Sequence, residues 1–219
     1  RVFENQSFIL GDEVSEFEYD LAQYCDSREE IGCASGSDAL LLALLGLEIG
    51  PGDEVITTPM TFCATINSIV HAGLRPVLAD VDPQTMNIDP RQIEARITAR
   101  TRAIVPVHFA GRPCDMDSLQ DLVSRHGLKL IEDCAHAIET TYKGRPAGTF
   151  GDFGCFSFYV TKNVATGEGG MILAASPEDG ARIKTLALHG MTNDAWKRFG
   201  DDGYKHYFVT ECGFKYNMM

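Results

Sequence analysis

The sequence predicts an α/β fold in which helices cover both faces of a mostly parallel sheet. Short apolar segments that are typical of buried strands recur along the chain, and segments with helical periodicity lie between several of them. Parallel strands buried on both faces carry continuous apolar runs and are joined by right-handed crossovers, which fits this spacing. Hydrophobic residues make up 44% and charged residues 23% of the 219 residues, so the chain can bury the core of one domain.

The helices are predicted from the spacing of apolar residues. Phe17, Leu21 and Tyr24 recur at helical spacing, and the glycine and serine residues at 35–37 open a second helix that is rich in leucine. Two later helices are predicted over 115–126 and 177–188.

The strands are predicted from short apolar runs. They lie at 54–57, 76–79, 103–107, 128–131, 155–159 and 171–174. Pro51-Gly52-Asp53 and Asp82-Pro83 are turn signals rather than domain boundaries, and no repeat or low-complexity linker is visible. We therefore expect a single domain.

Lys162 is the first candidate for chemistry, because it stands between an apolar, strand-like segment and the glycine-rich stretch 167–170. Burial among apolar neighbours disfavours the ammonium form of a lysine and leaves a free amine that can attack an aldehyde. The alternative is a solvated surface lysine, which is the usual environment of this residue type.

Asp133 is the second candidate. It follows the apolar run at 128–131 and would lie at the carboxyl end of a buried strand, where ligands gather in open parallel sheets. A carboxylate there can hold a pyridine nitrogen protonated, as pyridoxal phosphate requires if its ring is to draw electrons. An aspartate that caps the next helix explains this segment equally well.

The net charge of −12 argues against a surface that binds nucleic acid or an anionic membrane. An anionic ligand would then be held locally, by helix N-termini and backbone N–H groups. The seven cysteines are odd in number and never form a C-x-x-C pair, so neither a disulfide framework nor a metal site is indicated, and reduced thiols fit a cytoplasmic enzyme. No apolar run approaches membrane-spanning length and no signal-peptide pattern is present.

Five motifs occur in the chain in a fixed order. They are Ala34-Ser35-Gly36-Ser37-Asp38-Ala39-Leu40, Pro51-Gly52-Asp53-Glu54-Val55-Ile56-Thr57-Thr58-Pro59, Glu132-Asp133-Cys134-Ala135-His136-Ala137, Ser157 with Lys162, and Gly167-Glu168-Gly169-Gly170. Together they resemble the DegT/DnrJ/EryC1/StrS aminotransferases, which use pyridoxal phosphate to aminate nucleotide-linked keto sugars. The resemblance covers essentially the whole chain and is closest to the 4-amino-4-deoxy-L-arabinose synthase type.

The resemblance implies the large domain of fold type I, the aspartate-aminotransferase-like fold of pyridoxal-phosphate enzymes. Members of the family carry a smaller C-terminal domain after a segment that resembles Gly213-Phe214-Lys215-Tyr216-Asn217. We expect residues 1–219 to be the cofactor-binding large domain, truncated at both ends relative to the family.

The resemblance also assigns roles to individual residues. It implies pyridoxal 5'-phosphate held as a Schiff base on Lys162, with Asp133 beside the ring nitrogen. The other implied cofactor contacts are Gly36, Ser37 and Ser157 at the phosphate, Phe62 on the ring face, His136 near the phenolic oxygen, and Asn217 at the phosphate of a neighbouring subunit. The last contact implies a homodimer with composite sites.

Several of these residues have a plainer explanation. Ser35-Gly36-Ser37 is also an ordinary helix start, Phe62 a core residue at the start of a helix, and His136 a structural or solvated side chain. His189 is a candidate contact for the substrate. The aromatic and basic residues that follow it could instead cover an apolar surface; they are Trp196, Lys197, Arg198, Tyr204, His206 and Tyr207.

The implied reaction moves an amino group from an amino acid, glutamate by analogy, to a nucleotide-linked keto sugar at its 4-position, in the biosynthesis of cell-envelope polysaccharide. Three alternatives remain. In a dehydratase of the same fold histidine replaces the lysine, which Lys162 argues against. A related pyridoxal-phosphate enzyme would act on an amino acid alone, and a non-catalytic regulatory or sugar-binding relative would keep the fold. Glu139-Thr140 departs from the glycine and small residue usual in relatives.

Overall fold

Seven strands form one sheet in the computed structural model, which describes residues 2–5, 8–27, 29–192 and 207–218. The strands are β1 (Glu29–Cys33), β2 (Glu54–Thr57), β3 (Arg75–Leu78), β4 (Thr101–Val105), β5 (Lys129–Asp133), β6 (Thr141–Tyr142), β7 (Arg145–Pro146), β8 (Phe153–Ser157) and β9 (Gly170–Ala174). The order in the large sheet is β1-β9-β8-β5-β4-β2-β3, while β6 and β7 pair with each other as a small separate hairpin.

The sheet is mostly parallel, as predicted. Strands β3, β2, β4, β5 and β8 run parallel to their neighbours, whereas β9 is antiparallel to both β8 and β1. The directions of these strands determine where the site lies. Cys33, which ends β1, and Ser157, which ends β8, both pair with Gly170 at the start of β9, so the carboxyl ends of the two strands lie at one edge of the sheet.

Helices cover both faces of the sheet, which confirms the predicted layers. They are α1 (Val2–Asn5), α2 (Asp12–Cys25), α3 (Gly36–Gly46), α4 (Cys63–His71), α5 (Pro90–Glu94), α6 (Met116–His126) and α7 (Pro177–Leu186). Helices α3, α4 and α7 pack in one cluster with Ile131, and α5 and α6 pack in another with Leu130. Because successive residues of a strand face opposite sides, these two clusters lie on opposite faces.

The predicted elements agree with the structure apart from small shifts. The strand predicted at 54–57 matches β2, and that predicted at 155–159 lies two residues earlier, as β8. Strand β1 and the β6-β7 hairpin were not predicted. None of the helices in the described part of the chain is both long and apolar enough to cross a membrane.

Candidate active site

A cavity of about 530 Å³ opens at the carboxyl ends of β1, β2, β4, β5 and β8. It brings together all of the predicted site residues except Asn217 and His189. The predicted residues that line it are Gly36, Ser37, Phe62, Asp133, His136, Ser157 and Lys162. They come from segments more than a hundred residues apart, so the parallel sheet is what gathers them.

Asp133 ends β5 and is 4% exposed. Its Oδ1 accepts a hydrogen bond from the backbone N–H of Ala135 at 3.1 Å, and its Oδ2 accepts one from the hydroxyl of Thr65 at 2.7 Å. Burial raises the pKa of the Asp133 carboxyl, and these two hydrogen bonds oppose that rise. A turn rather than a helix follows Asp133, so the helix-cap alternative was wrong.

Thr65 is a site residue that the sequence reasoning missed. It lies in the first turn of α4, is 2% exposed, and its Oγ1 is also 2.7 Å from Oγ1 of Thr61. Both threonines line the cavity. A signal was present, since Thr65 stands three residues after Phe62 and residues at that spacing share one face of a helix.

Glu132 precedes Asp133 on β5, faces the other side of the sheet and is fully buried. Its Oε1 accepts hydrogen bonds from the N–H groups of Phe150 and Gly151, and its Oε2 from the N–H of Gly148 and from His108 Nε2 at 3.0 Å. Four donors therefore converge on one carboxylate, which makes it a structural anchor.

His108 has a defined protonation pattern. Its Nδ1 accepts a hydrogen bond from the N–H of Cys114 at 3.1 Å, so the ring proton lies on Nε2, which donates to Glu132. His108, Glu132 and Cys134 lie close enough together to hold a metal ion. Both oxygens of Glu132 are already occupied by N–H donors, however, which argues against a metal there.

The start of α3 is a place where an anion can bind. Ser35 caps the helix, and its Oγ accepts from the N–H of Asp38 at 3.1 Å. The N–H groups of Gly36 and Ser37, in the first turn, have no partner within a helix that begins there. The capping alternative and the anion-site prediction therefore both fit: Ser35 caps, while the next two residues line the cavity.

Two glycines let three chain segments meet at this point. A Cβ placed on Gly36 would lie 2.6 Å from Cβ of Ser157, and one on Gly170 would lie 2.4 Å from the carbonyl oxygen of Ser35. Real Cβ atoms do not approach so closely. The glycine-rich motif thus brings the start of β9 against the start of α3 and keeps the Ser157 hydroxyl beside the helix N-terminus.

Phe62 and His136 both lie on the cavity wall and are exposed. Phe62 is the N-cap residue of α4 and is 74% exposed, so the alternative that places it in the core was wrong. Partial removal from water lowers the pKa of His136, and the nearby charge of Lys162 lowers it further. The imidazole is therefore neutral at neutral pH.

Lys162 lies in the loop that follows β8 and lines the cavity. Its backbone N–H donates to the carbonyl of Tyr159 at 2.8 Å, which closes a turn. The side chain is half-buried rather than enclosed by apolar groups. Among the described residues, none accepts a hydrogen bond from its amine, although its charge acts on Asp133 and His136. The amine is therefore near the acid and free to move.

Asn217 and His189 do not line the cavity of this chain. Asn217 is buried, pairs through its backbone with Cys33, and its side chain contacts Lys215 and the carbonyl of Met218. His189 is exposed, with φ of 56°, and its N–H donates to the carbonyl of Phe214. Their predicted roles stay predictions. Of the loop residues, Trp196, Lys197, Arg198, Tyr204 and His206 lie outside the described residues.

Comparisons with known proteins place the chain in a family. The family model for the DegT/DnrJ/EryC1/StrS aminotransferase family matches residues 1–219. The chain is 49% identical to the spore coat polysaccharide biosynthesis protein SpsC of Bacillus subtilis, over 95% of the chain and 54% of SpsC. It is 44% identical to UDP-N-acetyl-3-dehydro-alpha-D-glucosamine 3-aminotransferase of Acidithiobacillus ferrooxidans, over 92% of the chain and 54% of that enzyme.

A solved structure matches as well. The PLP-form of the protein Spr1654 from Streptococcus pneumoniae superposes with a TM-score of 0.88 at 33% sequence identity, over 97% of this chain and 57% of that one. The chain thus spans about half the length of the relatives that it matches.

Proposed function

The chain belongs to the DegT/DnrJ/EryC1/StrS aminotransferase family, and on that premise we propose that it is the cofactor-binding part of a pyridoxal-phosphate enzyme. The proposed enzyme moves an amino group from an amino acid to a nucleotide-linked keto sugar. One observation carries the proposal: a buried carboxylate, Asp133, and an amine that no described residue holds, Lys162, line one cavity together with the open start of α3.

The residues present fit the cofactor. Pyridoxal phosphate has a ring nitrogen, an aldehyde and a phosphate, and the cavity offers a partner to each. Asp133 accepts two hydrogen bonds of the four or so that a carboxylate can take, so it can also accept one from a ring N–H. The phosphate would be held by the N–H groups of Gly36 and Ser37 and by the hydroxyl of Ser157.

The remaining contacts orient the ring. The exposed face of Phe62 is available for stacking, which adds about 1 kcal/mol beyond the burial of area. His136, neutral at neutral pH, can exchange a hydrogen bond with a phenolic oxygen. Both side chains are exposed here, so a bound ring would cover apolar surface that now faces water.

Two residues carry the proton chemistry. The bound cofactor supplies an electron sink that stabilises negative charge on carbon. With the cofactor bound, Nζ of Lys162 would hold its aldehyde carbon. As a free amine, Nζ would take the proton from the α-carbon of the amino donor and deliver it to that former aldehyde carbon. Asp133 would keep the ring nitrogen protonated, because a buried carboxylate favours a paired cation.

The finer assignments are also proposals. We place the amino transfer at the 4-position of the sugar, with glutamate as the donor, on the resemblance of the motifs. The 44% identity to an enzyme named as a 3-aminotransferase favours a second candidate, transfer at the 3-position. The similarity to SpsC supports a role in polysaccharide biosynthesis. Product analysis by NMR with 3-keto and 4-keto nucleotide sugars separates the two positions.

We also propose a homodimer in the cytoplasm. The cytoplasm is supported by the cysteines: all are unpaired and most are buried, and burial raises the pKa of the Cys25 thiol to about 11, which keeps it unreactive. The homodimer rests on Asn217, which the resemblance assigns to the phosphate of a neighbouring subunit, and native mass spectrometry tests it.

Reduction with borohydride tests the central assignment. The intact protein, purified with pyridoxal phosphate, should be yellow, and after reduction mass spectrometry should find the modified peptide at Lys162. Lys162→Ala should lose both the colour and the turnover. Lys129→Ala is the matched control, because Lys129 pairs with Asp152 on the surface, away from the cavity. A label on any other lysine, or colour retained in Lys162→Ala, would refute the proposal.

A further inference from the structure

We propose that Thr65 is a positioning residue, which holds the Asp133 carboxylate in one orientation and in its charged form through a chain of hydroxyl groups that starts at Thr61. The inference rests on the proposed function, since it assigns a task to a residue behind the cofactor-binding acid. Thr65 is 2% exposed and Asp133 is 4% exposed, so the contact between them is closed to water.

The direction of the hydroxyl chain follows from counting protons. A carboxylate only accepts, so the hydroxyl of Thr65 must donate its one proton to Asp133 Oδ2, at 2.7 Å. The contact between Oγ1 of Thr61 and Oγ1 of Thr65, also 2.7 Å, then has to be donated by Thr61. Both bonds point toward the acid when Asp133 is ionised. A proton on Oδ2 would have to reverse them.

The position of Thr65 explains why this bond controls the acid. Oδ1 of Asp133 is held by the N–H of Ala135, which belongs to the same turn, whereas Oδ2 is held by α4, a separate element. The two bonds fix both oxygens and so fix the plane of the carboxylate. Removal of the hydroxyl of Thr65 would leave Oδ2 buried without its donor, which favours the protonated form.

Other charged and titratable groups also act on Asp133, so the test must separate their effects from that of Thr65. They are His108 after β4, Lys162 after β8, His136 in the following turn, and the buried thiols Cys114, Cys134 and Cys155. None of them changes in a substitution at Thr65, so a comparison of variants at constant background isolates the hydroxyl.

The experiment compares three variants of the intact protein. Thr65→Val keeps the shape and removes the hydroxyl, and Thr65→Ser keeps the hydroxyl. Ser68→Ala is the matched control, because Ser68 lies one turn later on α4 and its hydroxyl contacts the carbonyls of Ala64, at 2.8 Å, and Ser37, at 3.3 Å, but not Asp133. The dissociation constant of pyridoxal phosphate is measured by absorption across a range of pH, and the stability of the cofactor-free protein is measured over the same range.

We expect Thr65→Val to weaken cofactor binding on the order of tenfold at neutral pH, because a hydrogen bond to a charged group is lost. The pH at which affinity falls on acidification should move upward by about one unit. Thr65→Ser should stay close to wild type, as should Ser68→Ala. The inference is overturned if Thr65→Val matches the control in both measurements. It is also overturned if Thr65→Ser binds the cofactor as weakly as Thr65→Val does.

Two further outcomes are assigned in advance. Should the wild type bind no cofactor at Lys162, the proposed function fails, and the cofactor-free protein still decides the role of Thr65. There, Thr65→Val should destabilise the fold more at neutral than at acidic pH, and an equal effect at both refutes the role. Should Thr65→Val not fold, Thr65→Ala compared with Thr65→Ser gives the same decision.

Discussion

Glu132→Gln should destabilise the protein strongly, although the two side chains have nearly the same shape. Each oxygen of Glu132 accepts two N–H donors: Phe150 and Gly151 at one, Gly148 and His108 at the other. The amide NH₂ of glutamine must replace one of these oxygens, and in either orientation it meets two donors. His108 cannot adopt the other tautomer, in which Nε2 would accept a hydrogen bond, because its Nδ1 already accepts one from the N–H of Cys114.

The size of the effect follows from these contacts. Two hydrogen bonds to a buried charge are lost, at about 1.5–3 kcal/mol each, and the smaller cost of burying a neutral side chain offsets part of that loss. We expect a net fall of about 3 kcal/mol in the free energy of unfolding. At about 2–4 °C per kcal/mol for a chain of this size, the melting temperature should fall by about 6–12 °C.

Urea and thermal unfolding of the cofactor-free protein measure this loss. Glu54→Gln is the matched control, because Glu54 is also a carboxylate of low exposure in a strand, but one of its oxygens accepts from the hydroxyl of Thr98 and the other from the guanidinium of Arg100. The Thr98 hydroxyl can turn and accept from the new amide while the amide oxygen keeps the bonds from Arg100, so that variant should lose less. A melting temperature of Glu132→Gln within about 1 °C of wild type, or a larger loss in Glu54→Gln, would show that the counting of donors is wrong.

Two further predictions concern the cavity. Gly36→Ala should cost about 1–3 kcal/mol of stability, because the added Cβ would lie 2.6 Å from Cβ of Ser157. Gly50→Ala is the control and should be nearly neutral, because the space around Gly50 is open. Equal shifts in the melting temperature of the two variants would contradict this prediction. Asp133→Asn should gain stability relative to wild type as the pH rises. The pKa of Asp133 is raised in the folded protein, so the ionised carboxylate destabilises the fold above that pKa, and this cost disappears on acidification. Thermal melts of the cofactor-free proteins measure the difference in stability between Asp133→Asn and wild type. If that difference does not change between pH 4 and 8, the prediction is wrong.

Most of the sheet could be predicted because its central strands are apolar on both faces. Strand β1 was missed since Glu29 and Glu30 open it and only Ile31 is a large apolar residue. It becomes a strand through its pairing with β9, some 140 residues later in the chain, which no local pattern reveals. Strand β5 continues beyond the predicted end because both acids that follow Ile131 find buried donors.

The site could be predicted where a motif combines a residue type with a position at the end of a strand. Lys162, Asp133 and Gly36 are of this kind, and the structure places them around one cavity. Thr65 and His108 could not be predicted, because their roles depend on distant partners. Thr65 contacts Asp133, 68 residues away, and His108 contacts Glu132, 24 residues away. A threonine or histidine alone carries no signal of what it will face.

The two adjacent acids at the end of β5 show why only one of them is available for chemistry. Alternation along the strand places Glu132 on the face of α5 and α6, where four N–H donors saturate it. It places Asp133 on the face of α3 and α4, where the cavity opens and its carboxylate accepts two hydrogen bonds from the described residues. A shift of one residue in the register of β5 would exchange them. The register of β5 therefore determines which acid lines the cavity, and the hydrogen bonds to Glu132 hold that register in place.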